Sequence, residues 1–182
     1  MRSLKLELAR KSIHFMGVGY IPLYLYAGRD ITLFAVLTLT LAAVLLEAGK
    51  FKFDIIPHWL LREHELKGIG SHLYTGGAIS IITLWLPMGA CFAGIANGIV
   101  GDGISGLVKK YNSLIALPIM FLASSVTLLV VSIFTELSYY AILFSCLGGV
   151  IAESVSTIRG HYLNDNFSVP IVSSVIYKLV PI

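Results

Sequence analysis

The residues best suited to chemistry in this chain are carboxylates that lie inside apolar segments or at their ends. Asp102 lies in the glycine-rich stretch Gly94–Gly106, shortly before Lys109 and Lys110. An ionisable side chain in an apolar segment is costly unless it is paired or functional, and carboxylate oxygens are the ligands that Mg²⁺ takes in proteins. Asp102 is therefore predicted to act as a general base or a magnesium ligand beside a phosphate site. The simpler interpretation is a helix-end aspartate that pairs with Lys109 or Lys110.

Glycines surround Asp102 in unusual number. Gly94 and Gly98 have the GxxxG spacing of a helix-packing face. Gly101, Gly103 and Gly106 extend the run. The number of glycines is larger than helix packing alone would require. Glycine lets a ligand approach the backbone closely, so Gly101 and Gly103 are predicted to contribute to phosphate binding.

Two further sets of hard oxygen ligands lie toward the C-terminus. Glu153 lies near the end of one apolar segment, and Asp165 opens another. Their simpler interpretations are a boundary acid paired with Arg159 and a helix N-cap cluster. Oxygen ligands of this kind suit a divalent cation. We expect Mg²⁺ to be held by some of Asp102, Glu153, Asp165 and Asn166.

Basic residues near the ends of apolar segments are candidates for binding phosphate. Arg10 and His14 share a helix face, with Lys11 beside them. The stretch Lys67–His72 places two glycines before a predicted helix, whose free N–H groups would attract an anion. Simpler interpretations are a positive membrane anchor and an ordinary helix start. The predicted nucleotide- or phosphate-binding residues are Arg10, Lys11, His14, Lys67, Gly101, Gly103, Lys109 and Lys110.

Composition indicates the kind of element that must position these residues. The chain has 182 residues, of which 57% are hydrophobic and 13% charged, and its mean hydropathy is +0.86. Soluble domains carry about 25% charged residues, so the sequence predicts a polytopic membrane protein with one domain spanning 1–182. The net charge of +3 is better explained by membrane orientation than by nucleic-acid binding.

Segment lengths predict an all-α transmembrane bundle of about seven segments, because a bilayer core needs about 20 apolar residues per crossing. An interfacial loop or helix is predicted within 47–71, after Pro57 and including Trp59. Every lysine and arginine except Arg29 and Lys178 falls on one side of this arrangement, which predicts a cytoplasmic N-terminus and an outer C-terminus. The segments are 12–28, 31–47, 72–87, 89–106, 113–134, 139–158 and 166–182.

Four short motifs follow one another along the chain: Ala9–Phe15, Arg62–Ile69, Val100–Gly103, and Ala152–Ser154 followed by Asp165–Pro170. In this order they resemble the motifs of the polyprenol kinase family, which includes dolichol kinase, phytol kinase and CTP-dependent diacylglycerol kinases. The resemblance implies transfer of the γ-phosphate of CTP, or of another nucleotide, to a membrane lipid hydroxyl with a divalent cation. In many relatives a phosphate loop follows the Gly-Asp helix, whereas this chain has only Lys109–Ser113, and Asn164 stands where many relatives have a second aspartate.

The mechanism predicted from these features places the lysines and Arg10 on the nucleotide phosphates. Asp102 would orient or deprotonate the lipid alcohol, because phosphoryl transfer needs mainly positioning and charge neutralisation. The alternatives are a CTP-dependent lipid cytidylyltransferase, a small transporter and a purely structural membrane protein. The sequence leaves open the lipid acceptor, the choice among CTP, UTP and ATP, and whether the chain forms homo-oligomers.

Overall fold

The computed structural model describes residues 4–53, 68–155, 157–158, 161–162 and 164–181. These residues are helical apart from short connections and one antiparallel pair of two-residue strands, in which Thr157 pairs with Tyr162 and Ile158 with His161. The all-α class is therefore confirmed. The elements are α1 (Leu4–Phe15), a 3₁₀ turn (Met16–Gly19), α2 (Tyr20–Phe53), α3 (Ser71–Trp85), α4 (Met88–Ile95), a π-helical turn (Ala96–Gly101), α5 (Asp102–Lys109), α6 (Ser113–Ser132), α7 (Tyr139–Ser154), β1 (Thr157–Ile158), β2 (His161–Tyr162) and α8 (Asp165–Leu179).

Gly28 breaks α2 into two arms. Its φ of 80° and ψ of 177° lie in a region that is open essentially to glycine alone. The second arm runs back along α3, where Arg29 Nε donates to Thr83 O at 2.9 Å and Thr40 Oγ1 lies 3.3 Å from Ser80 Oγ. The break falls in the connection that the sequence predicts between segments 12–28 and 31–47.

The helix α4 forms the centre of the bundle. All of its residues from Ala90 to Ile95 are buried, and it packs against α2, α3 and α8. The Phe92 ring makes edge contacts with Tyr20 and Tyr24, with ring centroids 6.5 and 5.5 Å apart. Because α5 continues from this buried helix, Asp102 is held at one end of the most enclosed element of the fold.

Three helical stretches are long and apolar enough to cross a membrane: Leu8–Lys50, Met88–Lys109 and Ser113–Ser132. Each exceeds the approximately 17 residues that a short crossing needs. Tyr139–Ser154 is apolar but shorter. Large apolar side chains such as Phe34 and Leu39 are exposed along the second arm of α2. These features are compatible with a membrane protein, as the composition predicts.

Two element boundaries differ from the sequence-based expectation. The segment predicted at 139–158 ends as a helix at Ser154, and Thr157 enters the short strand pair. The helix α2 extends to Phe53 and so includes the first seven residues of 47–71, the region predicted to be an interfacial loop or helix. Residues 54–67, which include Pro57, Trp59 and Lys67, lie outside the described residues.

Side chains of neighbouring helices occupy the space beside the glycines around Asp102. A Cβ on Gly98 would lie 2.4 Å from Pro170 Cγ, one on Gly101 would lie 2.2 Å from Ser124 Oγ, and one on Gly103 would lie 2.8 Å from the Phe15 ring. Neighbouring side chains therefore require glycine at each of these three positions. Gly101 and Gly103 lie at helix–helix contacts, and their predicted contribution to phosphate binding stays a prediction.

Replacing Gly98 by alanine is expected to lower stability by about 1–3 kcal/mol, because the rigid Pro170 ring must move to admit the methyl group. The matched control is Gly77→Ala, where a Cβ meets nothing within 4 Å and the helix gains about 0.5–1 kcal/mol. Thermal unfolding of the detergent-purified variants measures both effects. Equal shifts for the two variants would contradict the packing role.

Candidate active site

Three carboxylates from three separate helices meet at one end of the bundle. Asp102 begins α5, Glu153 lies at the end of α7, and Asp165 begins α8. One oxygen from each lies within 4.8 Å of the others. We call these three residues the acidic cluster. At this separation two carboxylates repel by roughly 3 kcal/mol at an effective dielectric constant of about 20, so the arrangement requires nearby positive charge.

Lys11 supplies part of that charge to Asp102. Its Nζ donates to Asp102 Oδ2 at 3.1 Å and to the backbone O of the same residue at 3.2 Å. Lys11 is only 8% exposed, and its side chain lies over Gly106, where a Cβ would come within 2.7 Å of Nζ. Lys11 therefore takes the pairing position that the simpler sequence interpretation gave to Lys109 or Lys110.

A π-helical turn shapes the backbone just before Asp102. The Asp102 N–H bonds to Asn97 O and Ile99 O, and not to Gly98 O as in a regular α-helix. Gly98 O instead accepts a hydrogen bond from His14 Nε2 at 3.1 Å. The same Nε2 lies 3.4 Å from Asp102 Oδ2. Such turns occur frequently at functional sites, and this one links α1 to the acidic cluster.

Glu153 is the most enclosed member of the cluster, with 8% of its surface exposed. Its Oε1 lies 3.5 Å from Lys109 Nζ, whose side chain is 63% exposed. Its Oε2 is buried and has no hydrogen-bond partner among the residues that the structure describes. A buried, unpaired carboxylate oxygen is costly, and a bound cation would satisfy it. Arg159, the alternative partner, lies outside the described residues.

Asp165 is oriented by the start of α8. Its Oδ1 accepts hydrogen bonds from the Asn166 backbone N at 2.8 Å and from Asn166 Nδ2 at 2.9 Å. Asn164 caps the same helix by accepting from the Asn166 N–H. Asn166 therefore supports Asp165, and direct coordination of a metal by Asn166 stays a prediction.

The spacing of the acidic cluster suits a divalent cation. Octahedral Mg²⁺ holds oxygen ligands at about 2.0–2.1 Å, so two ligands on opposite sides of the ion lie about 4.2 Å apart. Ligands at adjacent positions lie about 2.9 Å apart, whereas the oxygens of the cluster lie within 4.8 Å of one another, so binding one ion would draw the three carboxylates together. The cluster offers three oxygen donors to a cation, and the assignment to Mg²⁺ stays a prediction.

In the described part of the predicted anion site at Lys67–His72, the carboxylate of Glu47 contacts the loop. Glu47 Oε1 accepts from the Gly70 N–H at 3.0 Å and from Lys50 Nζ, and its Oε2 lies 3.2 Å from His72 Nε2. Lys50 also donates to Gly68 O at 2.8 Å. This network fastens the loop to α2. Lys67 lies outside the described residues.

The remaining predicted phosphate contacts lie in the parts of the fold that flank the acidic cluster. Arg10 lies one residue before Lys11 and is half-buried, and Lys110 directly follows α5 and is exposed. Sequence reasoning missed the hydroxyl groups of Ser105, Ser113 and Ser154, which line a pocket beside Glu153. Serines are too common in apolar helices to be singled out, and only the spacing of Ser105 four residues before Lys109 hinted at a shared face.

The arrangement can hold a cation between three helices and present an exposed lysine beside it. Both features recur at sites that bind phosphate groups. Compared with family models, with curated proteins and with solved structures, the chain matches none of them.

Proposed function

We propose that this protein is a multi-pass membrane enzyme that transfers a phosphoryl group from a nucleoside triphosphate, with CTP as the expected donor, to the hydroxyl group of a membrane lipid. The observation that carries the proposal is the meeting of Asp102, Glu153 and Asp165 beside two lysines, Lys11 and Lys109. Carboxylates that hold Mg²⁺ next to lysines are the recurring parts of phosphoryl-transfer sites.

The proposed topology places the acidic cluster at the cytoplasmic membrane surface. Gly28 divides the stretch Leu8–Lys50, which at 43 residues is twice the length of one crossing, so each arm crosses once. The ends that carry Lys11, Lys50 and Lys109 then share the side with most of the basic residues. The soluble nucleotide reaches the cluster from the cytoplasm, and the lipid reaches it from the bilayer.

In the proposed mechanism each residue of the site has one task. Lys11 donates a hydrogen bond to Asp102 and holds it in place, so that Asp102 orients the lipid hydroxyl and accepts its proton. The hydroxyl oxygen bonds to the γ-phosphorus while the bond from that phosphorus to the bridging β-phosphate oxygen breaks, and the nucleoside diphosphate leaves. Lys109 contacts the phosphate oxygens. A magnesium ion held by the acidic cluster would neutralise charge on those oxygens.

The lipid acceptor is proposed from the resemblance to polyprenol kinases: a polyprenol such as dolichol, phytol or geranylgeraniol, or diacylglycerol. The test is incubation of purified protein with CTP, UTP or ATP and a panel of these alcohols, with Mg²⁺ or with a chelator. Mass spectrometry should find one added phosphate on a lipid, only when the metal is present. Addition of a CMP unit to a lipid phosphate, or solute flux in proteoliposomes without lipid turnover, would overturn the proposal.

His14 is expected to position Asp102 and not to bind phosphate, because its Nε2 contacts Gly98 O and Asp102 Oδ2. His14→Leu, which removes this donor, should lower kcat by about 10–100-fold, the usual effect of losing a supporting group. The KM for CTP should stay unchanged. His14→Gln, which restores an N–H donor, should recover much of the activity. A rise in the KM for CTP with unchanged kcat would assign His14 to phosphate binding instead.

A further inference from the structure

A second group of charged side chains joins the end of α2 to the start of α3. Glu47 and Lys50 lie near the end of α2, and both are buried. His72 is the second residue of α3. The proposed mechanism gives none of these three residues a task, although buried charges are costly to keep. Their arrangement therefore calls for an explanation of its own.

The two oxygens of the Glu47 carboxylate have different surroundings. Oε1 accepts hydrogen bonds from the Gly70 N–H at 3.0 Å and from Lys50 Nζ. Oε2 is buried and accepts no hydrogen bond from the residues that the structure describes, and His72 Nε2 lies 3.2 Å from it. An unpaired buried carboxylate oxygen is costly. A proton and a positive charge on the His72 ring would offset that cost.

Gly70 makes room for the His72 ring beside the carboxylate. Its φ of −69° and ψ of 146° suit any residue, so the backbone conformation does not require glycine. A Cβ at this position would lie 2.6 Å from His72 Nδ1 and 3.1 Å from Glu47 Oε2, whereas ordinary non-bonded contacts are about 3.5–4.0 Å. The missing side chain therefore lets the imidazole reach the carboxylate.

The His72 ring can exchange protons with water, because 39% of its side-chain surface is exposed. Histidine ordinarily changes its charge between about pH 5 and 8. Glu47 favours the charged ring, whereas Lys50 and the positive end of the α3 dipole oppose it. Two other helices pack against α3. Of these, α4 carries no charged residue, and α8 carries Asp165 in its first turn and Lys178 in its last.

We propose that Glu47, Lys50 and His72 form a pH-responsive latch between α2 and α3. The protonated His72 ring pairs with Glu47 Oε2 and fixes the start of α3, whereas the neutral ring offers at most an uncharged N–H. The latch is therefore closed at low pH and loosens as the pH rises through the range in which imidazole loses its proton. Since α3 packs against α8, which begins at Asp165, the latch lies one helix away from the acidic cluster.

Hydrogen exchange of the Gly70 amide in the purified full-length protein tests the latch, because this N–H donates to Glu47 Oε1. Exchange is measured at about pH 5.5 and pH 8, and each rate is divided by that of an unstructured peptide at the same pH. Protection should be about tenfold greater at the lower pH, the effect of one charge-assisted hydrogen bond. The Leu86 amide, which donates to Ile82 O at 2.9 Å at the other end of α3, is the internal reference and should be equally protected at both.

Two substitutions should abolish the pH response of the amide at residue 70. His72→Gln removes the titrating ring, and Gly70→Ala displaces it from the carboxylate. Gly77→Ala, where a Cβ meets nothing within 4 Å, is the matched control for the glycine substitution and should keep the wild-type response. Equal protection of Gly70 at the two pH values in the wild-type protein, or a response that persists in His72→Gln, would overturn the latch. Neither outcome depends on whether the protein phosphorylates a lipid.

Discussion

Asp102→Asn is expected to lower the rate of lipid phosphorylation on the order of 10³-fold, the size of effect seen when a group that stabilises developing charge is removed. The substitution keeps the volume of the side chain and removes its negative charge. The asparagine cannot accept the proton of the lipid hydroxyl, and it binds a cation more weakly than a carboxylate does. The measurement is the initial rate of phosphate transfer from CTP to lipid at saturating substrates.

The control for this prediction must separate chemistry from stability. Asp102→Asn leaves the buried Lys11 ammonium with neutral amide and backbone oxygens in place of the carboxylate, and an uncompensated buried charge costs several kcal/mol. The double variant Lys11→Met with Asp102→Asn removes that charge, so it should recover thermal stability and remain inactive. Activity near the wild-type rate in either variant would refute the role of Asp102.

Glu153→Gln is expected to raise the stability of the metal-free protein and to lower its activity. Without metal, the acidic cluster repels itself, and removing one charge should raise stability by about 1–3 kcal/mol. The ion pair lost with Lys109 contributes little because Lys109 is largely exposed. Activity should fall on the order of 10²-fold, and the Mg²⁺ concentration for half-maximal rate should rise about 10–100-fold, because a ligand charge is gone.

Thermal unfolding with and without Mg²⁺ checks this second prediction. The wild-type protein should be stabilised by Mg²⁺, since an ion that binds only the folded state raises its stability. Glu153→Gln should be more stable than the wild type in a chelator and should respond less to Mg²⁺. Glu136→Gln, at an exposed acid in the connection that precedes α7, should behave as wild type. A melting temperature for Glu153→Gln below that of the wild type in chelator would mean that the Glu153 carboxylate stabilises the folded protein.

The sequence predicts the meeting of the acidic cluster because short connections make successive helices alternate in direction. Acids at the ends of the segments near Asp102, Glu153 and Asp165 must then fall at the same end of the bundle. The structure places them within 4.8 Å. The break at Gly28 is also foreseeable, because a glycine before two charged residues interrupts an apolar run.

Other features depend on contacts that no local pattern reveals. The pairing of Lys11 with Asp102 joins residues 91 positions apart, and nearby Lys109 is the more obvious partner along the chain. The π-helical turn at Ala96–Gly101 adds a residue to one turn without a distinct composition. Gly98 is a glycine because the Pro170 ring packs against it. The sequence alone does not distinguish such a glycine from one that lies against a bound ligand.

The helix end at Ser154 shows how the prediction of boundaries fails. Hydropathy alone extends the segment to 158, since Val155 and Ile158 are apolar. Val155 leaves helical geometry, with φ −102° and ψ 37°, and Thr157 and Ile158 pair as a strand. β-Branched residues favour such extended pairing. This early ending brings Glu153 to the helix terminus beside Lys109.

Electron paramagnetic resonance of Mn²⁺ added to purified protein in the presence of CTP tests whether the acidic cluster holds a metal ion. We expect one bound ion per chain, lost or strongly weakened in each of Asp102→Asn, Glu153→Gln and Asp165→Asn, and retained in Glu136→Gln. Absence of a bound ion in the wild-type protein, or binding that survives all three substitutions, would show that the cluster is not a metal site.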